Sequence, residues 1–336
     1  MRIAMINVPI PAPWLGEGSW ITVPPQGYGG IQWVVATLIE GMLDLGHQVV
    51  LLGAPGSTER RGLNVINEAG TPREIRQWLG ANASFDIVHD HSNGDVFNRE
   101  NATPFPYLAT YHLTGIPTMP KNVVYLSHAQ RKAAGGGSAP IIPIPVVTAH
   151  YRNTLEKDDY LLFLGRVSPW KGALESAKFA KAVGLTLRIA GPTWDDEYRR
   201  QVQSEYPSKI EWRGEVGGAD RLQLLGHARA LLVLSQSLPG PWGHRWVEAG
   251  STVVSEAAAS GTPVIASDNG CLPEIVPGIG VILEEQVWEF GVCNRALVTL
   301  PSPVAVADIA RERWCHLKIA RRYLDLYVRA IGGARW

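Results

Sequence analysis

The sequence predicts an α/β protein made of two doubly wound domains. Strand-like and helix-like segments alternate along the chain, and this order favours parallel sheets with helices on both faces. The 336 residues, 46% of them hydrophobic, exceed one ordinary domain of about 100–200 residues and are enough for two cores. Residues 135–159 are rich in glycine and proline, which favours an extended connection. We therefore predict the domain boundary within this stretch.

The spacing of apolar residues predicts the elements of the first domain. In chain order they are a strand at 2–8, a helix at 31–45, a strand at 46–52 and three short strands at 86–91, 107–112 and 122–126. Each short strand ends in polar residues. Because strand-end loops are where α/β sheets bind ligands, we expect these polar ends to gather at one edge of the sheet.

The second domain is predicted to repeat the alternation. Its strands are expected at 160–164, 186–190, 210–212 and 230–234, and its helices at 173–183, 195–206 and 222–228. A further helix is expected to begin at Glu248 and to include Glu256, so that both carboxylates face one edge of the same element. The segment 309–331 has apolar residues at helical spacing among many arginines.

Composition excludes several classes of protein. The formal net charge is zero and acids and bases are interspersed, so the sequence shows no basic segment of the kind that binds nucleic acid or an anionic membrane. Three cysteines without CxxC spacing, Cys271, Cys293 and Cys315, argue against disulfides and a zinc site. No apolar run reaches the roughly 18–20 residues of a membrane span, and the N-terminal run is too short for a signal peptide. We expect a cytoplasmic protein without an integral membrane segment.

Two cations follow the strand at 160–164. Arg166 and Lys171 lie five residues apart in a turn shaped by glycine and proline. Arginine can clamp phosphate oxygens in a bidentate way and lysine supplies a mobile charge, so the pair suits a diphosphate. The alternative is that both are surface cations of an ordinary loop. Likewise, Glu248 and Glu256 could bind a polyhydroxylated ligand or decorate a solvated face.

These motifs together resemble the C-terminal domain of the retaining GT-B glycosyltransferases, specifically family 4 of that enzyme class. The matching segments are Gly165-Arg-x-x-x-x-Lys-Gly172, the Glu248-x7-Glu256 pair, Ala259-x-Gly-Thr-Pro-Val-Ile-Ala266 and Gly270-x-x-Pro-Glu274. The resemblance implies a GT-B fold, in which two Rossmann-like domains face a central cleft. It implies an acceptor-binding domain at 1–148, a nucleotide-sugar-binding domain at 149–308, and a C-terminal helix at 309–336 that crosses back to the first domain.

The resemblance also implies roles for residues of the second domain. It assigns Arg166 and Lys171 to the donor phosphates, Glu248 to the transferred sugar and Glu256 to the ribose. The further donor-binding residues that it implies are Ser251 and Thr252, which follow Glu248, and Val216, where backbone groups meet the base. The family's Glu-x-Phe-Gly is replaced here by Glu248-Ala-Gly-Ser251, and this departure leaves the identity of the sugar open.

In the first domain, the resemblance involves a glycine loop and a histidine. Gly29 and Gly30 belong to a loop like the one whose backbone N–H groups face the diphosphate or acceptor in the family. Thr110-Tyr-His112 is similar to the family's Thr-x-His, whose histidine contacts the donor sugar. His89, Asp90 and His91 are candidates for the acceptor side, although His89-x-His91 lacks identifiable further ligands for a metal.

Aromatic residues crowd the loop that precedes the first helix. They are Trp14, Trp20, Tyr28 and Trp33. Their rings either stack on sugar rings of the acceptor or pin the loop.

The resemblance implies a retaining glycosyltransferase that moves a sugar from a nucleoside-diphosphate-sugar donor to a hydroxyl of a saccharide or oligosaccharide natural product. The catalytic residues would be His112, Arg166, Lys171 and Glu248, with the donor as co-substrate and no metal or other cofactor. The chain length and the loop at 27–33 resemble the antibiotic-assembly branch, particularly the avilamycin-type oligosaccharide pathway of actinomycetes. The alternatives are a catalytically silent nucleotide-sugar-binding accessory subunit, a sugar-nucleotide epimerase, or a two-domain small-molecule binding protein.

Overall fold

The computed structural model describes residues 1–101, 103–115, 117–240 and 243–336. The strands are β1 Arg2–Ile6, β2 Gln48–Leu52, β3 Leu63–Ile66, β4 Ile87–Asp90, β5 Tyr107–Thr110, β6 Val123–Val124, β7 Tyr160–Leu164, β8 Thr186–Ala190, β9 Ile210–Gly214, β10 Ala230–Val233, β11 Val264–Ser267 and β12 Gly280–Leu283. The α-helices are α1 Gly30–Asp44, α2 Pro72–Ala81, α3 His128–Ala133, α4 Ala173–Val183, α5 Asp196–Glu205, α6 Gly218–His227, α7 Thr252–Ala259, α8 Leu272–Ile275, α9 Phe290–Val298, α10 Pro303–Trp314 and α11 His316–Ile331.

The chain divides into two compact units. The first comprises Met1–Pro145 together with His316–Trp336, and the second comprises Val146–Cys315. The sequence placed the boundaries after residues 148 and 308. The segment 309–315 therefore lies in the second unit, and the single helix predicted at the C-terminus is two helices, α10 and α11.

The first unit is built on a parallel sheet with the strand order β3-β2-β1-β4-β5-β6. Its central strands are buried along nearly their whole length, as expected where helices cover both faces of a parallel sheet, and β4 ends in His89 and Asp90. On one face α1 and α11 pack together, and α2 lies on the other. A Cβ at Gly41 of α1 would lie 2.9 Å from the Cβ of Ala320, so glycine allows the close approach of α1 and α11.

The second unit has the same architecture, with the strand order β12-β11-β10-β7-β8-β9. All pairings are parallel among the described residues. Helices α6, α7 and α10 bury apolar residues against one face, and α4, α5 and α9 against the other. The predicted α/β class with two doubly wound domains is confirmed.

Some predicted elements differ from the structure. The sequence patterns did not predict β3, α2, α3, β12 or α9. The helix predicted to begin at Glu248 begins at Thr252, and Glu248 lies in the loop before it. The helix predicted at 309–331 is interrupted at Cys315, whose ψ of 122° is extended; the backbone N–H of Val146 donates to the Trp314 carbonyl beside this break.

No disulfide joins the three cysteines: Cys271 and Cys293 are buried, and Cys315 is partly exposed. Among the described residues, no single helix is long and apolar enough to cross a membrane, and only the bent pair of α9 and α10 meets the criteria of length and composition together.

Candidate active site

The loop between β7 and α4 carries the two predicted phosphate-binding cations. It leaves β7 after Leu164, forms one 3₁₀ turn over Pro169–Lys171 and enters α4 through Gly172, which has φ 75°. A Cβ at Gly172 would lie 1.8 Å from the Leu234 carbonyl oxygen, so only glycine lets this loop pass the end of β10. The Arg166 guanidinium stacks on the ring of Trp194, 4.4 Å from its centroid.

Lys171 and Glu248 form an ion pair. The Lys171 Nζ lies 2.9 and 2.8 Å from the two carboxylate oxygens of Glu248 and 4.5 Å from the centroid of the Trp246 ring. Ser235 Oγ and the Trp246 indole N–H also donate to Glu248 Oε2, over 2.8 and 3.2 Å. The residues assigned to the donor phosphate and to the transferred sugar are therefore adjacent, and the carboxylate is held by several donors.

The backbone of Glu248 is fixed by the loop after β11. Its N–H donates to Asn269 Oδ1 over 2.8 Å, and its carbonyl accepts from the N–H of Cys271 over 2.8 Å. A Cβ at Gly270 would lie 2.3 Å from the Glu248 carbonyl oxygen. The glycine of the Gly-x-x-Pro-Glu motif is thus required for the approach of this loop to Glu248.

Trp246, Ser235 and Asn269 were not identified from the sequence. Trp246 lies two positions before Glu248, outside the Glu248-x7-Glu256 motif, and has no motif signal. The other two contacts join different strand ends and have no local signature. Trp246 packs near Trp170, with ring centroids 6.5 Å apart.

Glu256 lies in the interior of α7 with partners different from those of Glu248. Its carboxylate accepts hydrogen bonds from the Tyr151 hydroxyl, at 3.1 Å, and from the Arg221 guanidinium, with which it forms a buried ion pair. The prediction that Glu248 and Glu256 present carboxylates along one helix is wrong, because Glu248 precedes that helix. A carboxylate has about four lone-pair sites, and in Glu256, whose side chain is 2% exposed, Tyr151 and Arg221 use two of them.

The remaining predicted donor-binding residues of the second unit lie at the ends of two elements. Ser251 is the N-cap residue of α7 but its side chain makes no capping hydrogen bond, and Thr252 is the first residue of the helix. Val216 follows β9 and lines a pocket of about 410 Å³, to which Arg213 and Asp220 also contribute. The hydroxyl of Ser251 and the helix N-terminus suit an anion.

In the first unit, the glycine loop leads directly into α1. Gly29 is the N-cap residue with φ 154°, and a Cβ there would lie 2.8 Å from Ile21 and 2.9 Å from Pro25. A Cβ at Gly30 would meet open space. The indole N–H of Trp33 donates to the Gly27 carbonyl over 3.0 Å, so this ring pins the loop.

Three histidines lie together at the carboxyl ends of β4 and β5. His112 Nε2 and His91 Nδ1 are 2.8 Å apart. His89 lies between the Tyr327 hydroxyl, 2.6 Å from Nδ1, and the Thr110 hydroxyl, 2.8 Å from Nε2. Burial lowers the pKa of His112 to about 3 and the pKa values of His89 and His91 well below their usual value, so all three rings are neutral at pH 7. The expected gathering of polar strand ends is confirmed for β4 and β5.

Asp90 belongs to the buried interior beside this cluster. Its carboxylate accepts from the Ser92 N–H over 2.7 Å and from the Tyr107 hydroxyl over 2.9 Å. Burial raises its pKa to about 6. His89 and Asp90 are thus enclosed by protein partners, which does not support the acceptor-side role predicted for them. Within the described ranges, no group of three or more histidine, cysteine or acidic side chains is arranged to hold a metal ion.

Residues 150–283 match the family model described as glycosyl transferases group 1. AviGT4, a glycosyltransferase involved in avilamycin A biosynthesis, is 49% identical, with 100% of this chain and 99% of that chain covered and a TM-score of 0.93. The chain belongs to the group 1 glycosyltransferase family.

Two more distant structures share the fold of this glycosyltransferase. Sucrose-phosphate synthase from Thermosynechococcus elongatus is 18% identical, with 99% and 100% of the two chains covered and a TM-score of 0.76. HepE from Anabaena, solved in complex with UDP-glucose, is 14% identical with the same coverage and a TM-score of 0.68. No match was found among curated protein sequences. The predicted GT-B fold is confirmed.

The region matched by the family model contains most of the predicted donor site of this glycosyltransferase. Arg166, Lys171, Glu248 and Glu256 all lie within it. They come from the loop after β7, the loop before α7 and α7 itself. The second unit therefore carries the family's motifs on a single sheet and its flanking loops.

Proposed function

We propose that this glycosyltransferase moves a sugar from a nucleoside-diphosphate-sugar donor to a hydroxyl of a saccharide-type natural product, with retention of anomeric configuration. The observation that carries the proposal is the Lys171–Glu248 pair at 2.8 Å with Arg166 on the same loop. It combines cations that can bind a diphosphate with a carboxylate that can accept hydrogen bonds from sugar hydroxyls. The likeness to AviGT4, whose name places it in avilamycin A biosynthesis, supports an oligosaccharide natural product as the acceptor.

The cations would stabilise the leaving group. As the bond between the anomeric carbon and the phosphate oxygen breaks, negative charge develops on the diphosphate, and Arg166 and Lys171 supply positive charge where it is needed. Two protein cations can do this without a divalent ion. We therefore expect transfer to continue in excess EDTA; abolition by EDTA and recovery with magnesium would contradict this part of the proposal.

Retention would follow from a front-face reaction. The acceptor oxygen forms its bond to the anomeric carbon on the side from which the diphosphate leaves, and the acceptor proton passes to the leaving phosphate oxygen. Retaining glycosidases instead use a carboxylate nucleophile. Glu248 is bonded to Lys171, Ser235 and Trp246, which favours a role in holding the sugar over attack on it.

The first test is thermal stabilisation of the protein by UDP, GDP, dTDP and ADP. A ligand at about 100 times its Kd adds about 2.7 kcal/mol of stability. We expect one or two of these nucleotides to raise the Tm of the wild type and to leave Arg166→Ala unchanged. UDP is the first choice because HepE, which shares the fold, has been solved with UDP-glucose.

A matched control for Arg166→Ala is available on the same unit. Arg199 also stacks on an indole ring, that of Trp212 at 4.9 Å, but it lies on α5, away from the loop that carries the motif. Arg199→Ala should respond to nucleotides as the wild type does. Loss of the response in both variants would show a general effect of removing a stacked arginine and would contradict a diphosphate site at Arg166.

The accessory-subunit alternative is favoured by one observation, the replacement of Glu-x-Phe-Gly by Glu248-Ala-Gly-Ser251. A silent subunit would bind nucleotide but neither transfer sugar nor hydrolyse the donor. Incubation of the purified chain with UDP-sugars, followed by detection of released UDP and of the anomeric configuration of the product, separates the two functions. An epimerised sugar nucleotide as product would indicate the epimerase instead.

A further inference from the structure

His91 is a buried residue that contacts the proposed sugar-contacting histidine. It is 1% exposed, and its ring lies between those of His89, with centroids 4.1 Å apart, and His112, at 5.1 Å. Its Nδ1 is 2.8 Å from His112 Nε2. Its Nε2 is buried and has no hydrogen-bond partner among the described residues.

These contacts determine where the protons lie. A neutral imidazole carries one N–H and one bare nitrogen, and in a bond between Nδ1 of His91 and Nε2 of His112 only one of the two atoms is protonated. If His91 carried its proton on Nε2, a buried donor would be left without a partner, and orphaned buried N–H groups are rarer than unsatisfied acceptors. His91 is therefore protonated on Nδ1 and donates to His112.

The hydrogen bond from His91 also determines the protonation of the second ring nitrogen of His112, Nδ1. Because Nε2 of His112 accepts from His91, the proton of the neutral His112 ring lies on Nδ1. The backbone N–H of His112 donates to Asn93 Oδ1 over 2.8 Å, which fixes the main chain at the same point. The ring is thus restrained both at its base and at Nε2.

We propose that His91 is a positioning residue that fixes His112 as the Nδ1–H tautomer, so that His112 offers a hydrogen-bond donor to an oxygen of the substrate. The effect on turnover rests on the proposed function and on the role that the family resemblance implies for His112, which is contact with the transferred sugar. The tautomer itself depends only on the contacts in the first unit.

The direct test is ¹⁵N NMR of the histidine-labelled protein at pH 7.5, with His112 assigned by His112→Gln. We expect a protonated Nδ1 and a bare Nε2 for His112 in the wild type. A protonated Nε2 would overturn the proposal, whatever the enzyme's activity. Since this measurement uses the wild type, it does not depend on the folding of any variant.

Two variants test the effect on the reaction. His91→Asn retains an amide N–H near the position of Nδ1, whereas His91→Leu has a similar shape and no donor. We expect His91→Leu to lower kcat roughly 10-fold, the effect of about one hydrogen bond, and His91→Asn to stay close to wild type. Equal kcat values for wild type and His91→Leu would overturn the positioning role.

Nucleotide binding separates this inference from the proposed function. The predicted nucleotide site lies in the second unit, so UDP should stabilise both His91 variants as it does the wild type. If no nucleotide stabilises the wild type and no sugar is transferred, the proposed function fails while the NMR result still decides the tautomer.

Discussion

Glu248 is held by more donors than its ion pair alone requires. Lys171 approaches both carboxylate oxygens, while Ser235 and Trp246 donate to Oε2. When Lys171 turns toward a phosphate, the hydrogen bonds from Ser235 and Trp246 remain and offset part of the several kcal/mol that a buried carboxylate without its countercharge costs. In the proposed reaction, Lys171 would reorient toward the leaving diphosphate while Ser235 and Trp246 hold the glutamate in place.

Substitution of this pair should separate sugar binding from diphosphate binding. We expect Glu248→Gln to lower kcat/KM at least roughly 100-fold, as when one preorganised polar group is removed, with little change in the affinity for UDP. Lys171→Met should weaken the binding of UDP itself. Isothermal titration with UDP, combined with transfer kinetics, measures both effects. Lys181→Met removes a surface lysine paired with Glu205 at 3.0 Å and serves as the control; a UDP affinity unaffected by Lys171→Met would contradict the assignment.

Glu256 has a second role, in stability. The side chains of Glu256 and Arg221 are 2% and 9% exposed, and removing one partner of a buried ion pair leaves the other charge uncompensated, at a cost of about 3 kcal/mol or more. Glu256→Gln should lower the free energy of unfolding of the second unit by about this amount. Hydrogen exchange of the β10 and β11 amides measures it.

The control for Glu256→Gln is Glu205→Gln, which breaks an exposed pair with Lys181. Exposed pairs contribute about 0–1 kcal/mol, so this variant should unfold like the wild type. Equal stability of the two variants would show that the Arg221 pair contributes no more than a surface pair.

At the level of elements, two helix N-termini differ in what their N-cap residues do. Thr71 caps α2 in a reciprocal capping box: its hydroxyl accepts from the Glu74 N–H, and the Glu74 carboxylate accepts from the Thr71 N–H. Ser251 precedes α7 without any such side-chain bond. A serine at an N-cap position that does not cap is consistent with a hydroxyl kept for a ligand.

The two N-caps should respond differently to alanine. Thr71→Ala removes a capping hydrogen bond and should lower the free energy of unfolding by about 1 kcal/mol. It should not change the affinity for nucleotides. Ser251→Ala should lower the free energy of unfolding by a few tenths of a kcal/mol at most and should weaken the binding of UDP. Urea denaturation and UDP titration of both variants test this contrast. A Ser251→Ala variant that loses stability but binds UDP normally would assign Ser251 to the helix instead.

The elements that the sequence predicted correctly are those with long, regular apolar patterns. Both β7 and α4 have the predicted bounds, because a continuous apolar run and a clear helical spacing leave no alternative. The helix α2 was missed although Thr71 with Glu74 three residues later, and a proline between them, is a sequence signature of a helix start. Glu248 was assigned to a helix because the following residues are helical, whereas its backbone is bonded to the loop at Asn269 and Cys271, a tertiary contact without local signal.

In the first unit as a whole, contacts between residues that are far apart in the chain could likewise not be predicted from the sequence. The hydroxyl of Tyr327 contacts His89, and that of Tyr323 lies 3.0 Å from Thr110. These tyrosines come from α11, more than two hundred residues further along the chain, and the sequence indicated only that this helix returns to the first domain. The motif Thr-x-His could be recognised, but the residues that support it belong to another part of the chain.

Burial of the neutral histidines makes the stability of the first unit depend on pH. His89, His91 and His112 have pKa values lowered by burial, while in the unfolded chain a histidine titrates near pH 6.5. Below that pH the unfolded state binds more protons, so the stability present at neutral pH is lost as the pH falls. Asp90 has the opposite sign: its raised pKa of about 6 favours the folded state on acidification and offsets part of the loss. Tyr323 and Tyr327, which face the cluster from α11, have pKa values raised by burial and stay neutral.

We therefore expect the free energy of unfolding of the first unit to fall by about 3 kcal/mol between pH 7.5 and pH 5.5. Each of the three histidines contributes a loss of about 1.4 kcal/mol, and Asp90 contributes a smaller gain. Hydrogen exchange of the β4 and β5 amides, corrected for the intrinsic effect of pH, measures this change. His91→Leu should reduce the loss by one histidine's share. A stability that is constant or rises on acidification would mean that the three rings accept protons in the folded state, and the neutral cluster that positions His112 could not then exist.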